Sequence, residues 1–254
     1  VEHYNNPGIT ANDAFKPVTR YFDRITRPEQ IIQSFPAAIQ TMLDPADCGP
    51  ACISLCQDIQ GQTFDYPEEF FKEKVHTIRR PRPDEFQIKE AAEKIKSSKN
   101  PIIISGGGVF YSNAMEDLSS FATKHNIPVT QTVMGYSTMK RDHSHYAGQI
   151  GGLGGKNTNT LAKQTDLAIA VGTKLADFTT GSWANFENEN FKLVSINVSR
   201  FDANKHLAQA VIGDAKVSLN ELSLALGDWK AGEEWNKKSQ IELKAWNEEV
   251  DKAS

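Results

Sequence analysis

The sequence has 254 residues, 39% hydrophobic and 24% charged, the balance of an ordinary globular chain. Its net charge of −4 excludes the basic face that nucleic-acid binding needs, and no apolar run approaches the roughly 20 residues that span a bilayer. No basic-then-apolar leader opens the chain and 3 cysteines make no disulfide scaffold, so a cytoplasmic protein without membrane partners is expected.

Residues 1–27 read as polar and irregular, punctuated by Pro7-Gly8 and Pro17. The first residue is Val rather than Met, which suggests a chain processed or cut from something longer. Pro28-Glu29 opens a helix, with Thr26 as a candidate N-cap, and Ile31, Ile32, Phe35, Ile39, Met42 and Leu43 recur at helical spacing. Asp44-Pro45 ends it, and Cys48-Gly49-Pro50 turns into an apolar strand over Ala51 to Cys56. Same-face residues four apart in a strand lie about 13 Å from each other. Cys48, Cys52 and Cys56 are therefore expected to be buried, reduced and structural rather than metal ligands. One such αβ unit cannot bury both faces of a sheet, so it must pack on something else.

Residues 61–83 read as a linker ending in Arg79-Arg80-Pro81-Arg82-Pro83, a basic cluster more suited to solvated chain than to nucleic acid. Beyond it, helices are expected near 84–98, 112–125, 157–163 and 215–226. They alternate with uniformly apolar strands near 102–104, 128–132, 166–171, 192–198 and 210–212, with a long polar, glycine-rich stretch before Gly155. Strands apolar throughout belong to a parallel sheet covered on both faces. With right-handed crossovers, the fold class is α/β, a Rossmann-like doubly wound parallel sheet preceded by a partial α/β domain. The charged helical tail, 228–254, carries Trp235, Leu243 and Trp246, whose partner is expected to be missing.

In such sheets ligands bind at the carboxyl ends of the strands, where glycine lets backbone approach a phosphate and a helix N-terminus supplies N–H groups. Four strand ends qualify: Ser105-Gly106-Gly107-Gly108, Gly148 to Gly155, Val171-Gly172-Thr173-Lys174 and Ile196-Asn197-Val198. The spacing is not G-x-G-x-x-G, and Asn197 stands where an acidic residue often holds ribose. Asp142, His143 and His145 could form a metal or acid–base site, but alternate residues of a polar loop are more often simply exposed. No nucleophile elbow, H-E-x-x-H or P-loop occurs.

The run Asn100 to Gly108 resembles the opening of the middle domain of thiamine-diphosphate enzymes, as do Pro128 to Gly135, Gly148 to Gly154, Asp166 to Lys174 and Val211-Ile212-Gly213-Asp214. The acetohydroxyacid synthase superfamily shares that domain. Gly49 to Ile59 resembles the last strand of the preceding pyrimidine-binding domain, with Cys56-Gln57-Asp58-Ile59 where Pro-x-Asp-Val is common. Lys16 to Gln30, Gln57 to Gln60 and Asp65-Tyr66-Pro67 resemble the trihydroxycyclohexane-1,2-dione hydrolase branch of inositol catabolism.

The resemblance implies that 1–60 is the end of a pyrimidine-binding domain, 61–83 a linker and 84–227 the middle domain. Residues 228–254 would be a helical linker toward an absent diphosphate-binding domain. It implies thiamine diphosphate and Mg²⁺ as cofactors of a homo-oligomeric parent acting on a small molecule, opening the cyclic dione to 5-deoxy-glucuronate by C–C cleavage and hydrolysis. The family's ylide-forming glutamate and its Gly-Asp-Gly motif fall outside this sequence, so no residue here inherits a catalytic or metal-binding role and the fragment is expected to be inactive. Some relatives hold FAD or ADP in a groove that maps onto Gly107, Gly108, Thr132, Gly172, Lys174 and Asp214, the candidate cofactor-binding residues. The alternatives are another lyase or synthase of the acetohydroxyacid synthase type, a nucleotide-binding module, or a purely structural middle domain.

Overall fold

The computed structural model describes residues 2–253, and the backbone falls into two units, one ending at Arg79 and one beginning at Arg80. In the first, β1 (Glu2–His3) pairs antiparallel with β2 (Asn6–Thr10). A single parallel crossover follows: β3 (Tyr21–Ile25), α1 (Ile31–Leu43) and β4 (Ala51–Leu55), in register from Tyr21 opposite Ala51 to Ile25 opposite Leu55. α2 (Gln57–Gln60) is one short turn of helix.

β3 lies where the sequence reads as irregular. Asp23 and Arg24 interrupt its apolar residues, so only pairing with β4 defines it. α1 begins after a 3₁₀ turn, Pro28–Gln30, and its entry is held by Gln30 rather than Thr26. Gln30 Oε1 accepts the backbone N–H of Thr26 and of Arg27, at 2.6 and 2.8 Å. The cysteines correct a second expectation: all three are free, Cys48 is exposed, and Cys52 and Cys56 are only half-buried. Two strands and one helix enclose too little volume to hide them. Among the described residues of this unit, Ile25 and Ala38 are the only buried apolar side chains.

The second unit opens with α3 (Glu85–Lys96), whose N-cap Asp84 accepts the Phe86 N–H. There follow β5 (Pro101–Ser105), α4 (Gly107–Tyr111), α5 (Met115–His125), β6 (Val129–Gln131), β7 (Tyr146–Gln149), α6 (Lys156–Gln164) and β8 (Leu167–Val171). α7 (Asp177–Thr180), β9 (Lys192–Asn197), α8 (Arg200–Ala203), β10 (Gln209–Ile212), α9 (Ala215–Leu226) and α10 (Glu233–Ala253) complete it. Six strands form one parallel sheet in the order β10-β9-β8-β5-β6-β7, the doubly wound arrangement expected.

β5 and β8 are buried at every position, because alternate residues feed two cores. Ile103, Ile169 and Val171 meet α3, α5 and α9 on one face. Ile102, Ile104, Ala168 and Ala170 meet Leu161 of α6 and Trp235 of α10 on the other. The helix expected from 112 begins at Met115, after Asn113 takes φ +53°, and a separate short helix, α4, forms at Gly107–Tyr111, starting within the expected glycine loop. The expected polar stretch before Gly155 contains β7, a four-residue edge strand with two small residues and too little alternation to read.

The tail is not orphaned. Trp235 is 5% exposed and donates its indole Nε1–H to Pro101 O at 2.7 Å, Leu243 packs against the first core and Gln240 Nε2 donates to Tyr146 O. α10 therefore supplies the cover that a parallel sheet needs on this face. The arginine cluster is exposed, as expected, but two of its members are tied down. Arg80 pairs with Asp214 at 3.1 Å, Arg82 pairs with Glu221, and the Asp214 N–H donates to Pro81 O. Residues 80–83 thus strap the start of α9. Replacing Trp235 with Ala empties a core position and loses the Pro101 bond, so urea denaturation is expected to show a loss of about 3–5 kcal/mol.

Candidate functional site

The carboxyl ends of β5, β6 and β8 converge at the sheet's centre, where the strand order reverses. Gly106, Gly107 and Gly108 follow β5, Thr132 follows β6, and Gly172 and Lys174 follow β8. The first contacts here are backbone on backbone. Gly108 N–H donates to Gly172 O at 2.9 Å and Gly106 N–H to Val171 O at 2.9 Å. A Cβ on Gly108 would lie 2.6 Å from Gly172 Cα, and Gly172 holds φ +60°. Gly135 closes the third side, since a Cβ there would stand 2.1 Å from Ser105 O. These glycines are required by the approach of one loop to another.

The polar groups are committed in the same way. Thr132 is buried, its N–H donates to Ser105 O, and its hydroxyl accepts the Gly135 N–H at 3.0 Å. Ser105 Oγ and Thr138 Oγ1 share a hydrogen bond of 2.7 Å beneath them. Asp214 is buried, caps α9 by accepting the Lys216 N–H at 3.0 Å, and pairs with Arg80. It follows β10, three strand spacings or about 14 Å from β5. The structure thus brings Gly107, Gly108, Thr132 and Gly172 together, leaves Lys174 exposed beside them, and sets Asp214 apart. Asn197 Nδ2 donates to Thr173 O at 3.2 Å, tying the β9 and β8 ends together. Near this centre Phe110 and Tyr111 of α4, Met134, Tyr136 and Phe178 of α7 are exposed.

His145, expected to be exposed, is buried; Nε2 contacts Asn126 Oδ1 at 3.1 Å and Nδ1 contacts Ser144 Oγ at 3.0 Å. His125, which the sequence reading passed over, is fully buried between Trp229 O (2.7 Å) and Ser223 Oγ (3.0 Å). Only its place in the last turn of α5, on the apolar side with Phe121 and Ala122, signals this. Burial holds both imidazoles below their ordinary value of 6.5, with Lys124 and Lys230 adding repulsion at His125 and His143 at His145. Both are structural ties near the start of α10 rather than an acid–base pair.

Among the described residues no group of three or more His, Cys, Asp or Glu side chains could hold a metal ion, and the sequence contains no Gly-Asp-Gly run. These residues do not fit a Mg²⁺-diphosphate site, and no helix of the described residues is long and apolar enough to cross a membrane.

A doubly wound parallel sheet with glycine-packed strand ends and an extra covering helix is the arrangement of a cofactor-enzyme middle domain. Residues 88–222 match the family model "Thiamine pyrophosphate enzyme, central domain", and the chain belongs to that family. It is 44% identical over 250 residues to the 3D-(3,5/4)-trihydroxycyclohexane-1,2-dione hydrolase of Clostridium perfringens strain 13, covering 98% of this chain and 39% of the relative. It is similar to the proteins of the same name from Bacillus velezensis (43% over 246 residues, 92% of this chain, 38% of the relative) and Bacillus subtilis strain 168 (45% over 222 residues, 87% and 35%). The chain thus spans well under half the length of these relatives.

Two outcomes are expected. Gly172→Ala, strained at φ +60° and clashing with Gly108, should lose about 2 kcal/mol or more in urea denaturation, whereas Gly107→Ala, whose nearest atom is Met134 O at 3.2 Å, should change little. Because His125 and His145 titrate lower when folded than the ordinary 6.5, the unfolded chain binds more protons just below that pH. Their stabilisation is whole above about pH 6.5 and is lost as pH falls toward the folded values. Thermal melting should therefore drop between pH 7.5 and 5, and less steeply in His125→Gln.

Proposed function

We propose that this chain is the central part of a thiamine-diphosphate- and Mg²⁺-dependent hydrolase that cleaves a C–C bond of 3D-(3,5/4)-trihydroxycyclohexane-1,2-dione, opening the ring to 5-deoxy-glucuronate. The observation that carries it is the 44% identity spread over 98% of the chain rather than confined to the glycine loops. The reading includes a homo-oligomeric parent in the cytoplasm. It places residues 1–60 in a pyrimidine-binding domain, 61–83 in a linker, 84–227 in the middle domain and 228–254 in a connecting helix. When bound, the thiamine cofactor supplies a carbanion equivalent and an electron sink. This chain's own contribution is to hold the parts that bind the cofactor, through the sheet and the docked α10.

Within that role the second unit acts as a scaffold. Gly108 N–H, the Thr132 hydroxyl and the Asp214 carboxylate already have internal partners, which supports this over FAD or ADP binding at Gly107, Gly108, Thr132, Gly172, Lys174 and Asp214. A nucleotide present at 100 times its Kd stabilises its site by about 2.7 kcal/mol. Thermal melting with ADP and with FAD should therefore leave the chain unmoved, and a saturable rise would restore the nucleotide reading. For the reaction, the expected result is no product from the chain alone with thiamine diphosphate, Mg²⁺ and the cyclic dione, and product from the protein extended to the relatives' length. An extended protein inert toward the dione but active on 2-oxo acids would favour a synthase or lyase of the acetohydroxyacid synthase type.

A further inference from the structure

Two buried imidazoles converge on the short connection between α9 and α10. His125 Nδ1 lies 2.7 Å from Trp229 O, and the Ala231 N–H donates back to His125 O at 2.9 Å. Asn126, the left-handed residue that ends α5 at φ +54°, donates its Nδ2–H to Ala231 O at 3.1 Å and to Gly232 O at 3.4 Å. Its Oδ1 faces His145 Nε2 at 3.1 Å, and Asn236 of α10 donates to Ser144 O beside it. The rings of Phe121, His125 and Trp229 follow one another, with centroids 4.7 and 6.4 Å apart. The connection is thus held from α5 and from the loop before β7 at once.

These partners fix where each proton sits. A carbonyl only accepts, so Nδ1 of His125 carries the hydrogen and Nε2 accepts the Ser223 hydroxyl at 3.0 Å. Asn126 gives its amide hydrogens to carbonyls, so His145 Nε2 donates to Oδ1 and Nδ1 accepts the Ser144 hydroxyl at 3.0 Å. Both imidazoles are neutral in this arrangement. A proton added to His125 makes Nε2 a donor, and Ser223 Oγ then faces two cations, since Lys124 Nζ already stands 3.3 Å from it. Lys230 on the connection and His143 beside His145 add repulsion, and burial withholds water from either charge. Among the described residues no carboxylate offsets this. Asp228 and Asp142 are exposed, Glu233 and Glu234 of α10 pair with Lys237, and Glu221 of α9 pairs with Arg82.

We propose that His125, Asn126 and His145 form a pH-sensitive latch on α10: neutral, they hold residues 229–232 and seat the helix, and protonation releases the helix while the sheet stays folded. α10 is the element that yields, because it is the most lightly held of those the latch joins. Two of its 21 residues, Trp235 and Ser239, are buried, against four of 11 in α5. Beyond the latch it relies on the Trp235 bond to Pro101 O, the Gln240 bond to Tyr146 O and the Lys238 bond to Gln164. Opening lets water reach both imidazoles without exposing either core strand, β5 or β8. The latch is fully set above about pH 6.5 and weakens as pH falls. It concerns the seating of α10 and is independent of the proposed reaction.

Amide hydrogen exchange separates a local release from global unfolding. Proton uptake that waits on opening multiplies the opening constant by up to about ten per histidine at one pH unit below its ordinary value of 6.5. Corrected for the intrinsic rate, amides of residues 235–250 should exchange about tenfold faster at about pH 5.5 than at about pH 7.5, while those of β5 and β8 keep their protection. A His125→Gln, His145→Gln variant keeps a donor for Trp229 O and for Asn126 Oδ1 but takes up no proton, so that difference should vanish. Histidine resonances of the unaltered chain give a reading that needs no substitution. The α10 resonances should follow the titration of His125 and His145, with a midpoint below 6.5 and above the carboxylate range of about 4. An α10 that stays protected at about pH 5.5, that opens only together with the sheet, or that follows a midpoint near about 4 overturns the proposal. So does a double variant in which the pH difference persists.

Discussion

The second unit depends on a close approach of two loops at the centre of its sheet. Gly108 and Gly172 meet with no side chain between them, and one N–H···O bond of 2.9 Å joins them. This contact lets β8 lie in register beside β5 from Pro101–Leu167 to Ser105–Val171. Those two strands bring the alternating residues of both cores together, so the order of the remaining strands and the seats of α3, α6, α9 and α10 follow from it. A β-carbon at either glycine would have to separate the loops, and with them the strand ends.

The same contact decides how the strand ends are used. Glycine runs at strand ends serve two ends, the approach of a phosphate or the approach of another segment of backbone, and in sequence the two are indistinguishable. Here the N–H that would meet a phosphate meets a carbonyl, the hydroxyl of Thr132 closes its own turn, and Asp214 is shared between a helix cap and Arg80. The domain invests its polar groups in holding its shape. That suits the scaffold role proposed for it.

The parallel sheet was legible because its strands are apolar throughout: Ile102, Ile103 and Ile104 or Leu167 to Val171 admit little else. Helix α9 was legible over 215–226, whereas the capping role of Asp214 emerged only from the structure. What escaped were features set by long-range partners. β3 has its apolar residues broken by Asp23 and Arg24 and exists through its register with β4. The short helix α4 and the edge strand β7 carry no periodic signal. The burial of His125, His145 and Trp235 depends on segments more than 15 residues away, Ser223 and Trp229, Asn126, and Pro101 respectively. The ion pairs of Arg80 and Arg82, which are exposed as expected, escaped for the same reason, since Asp214 and Glu221 lie far along the sequence. The family was legible through the order of the strand-end runs, while the internal hydrogen-bond partners of Gly108, Thr132 and Asp214 were not, because such partners are invisible in sequence.

Amide hydrogen exchange at Gly108 tests the scaffold reading most directly, since that N–H belongs either to Gly172 O or to a ligand. The account predicts slow exchange in the free chain, unchanged by ADP or FAD and fast only when the sheet opens globally. Rapid exchange in the free chain that slows on adding either nucleotide would contradict it.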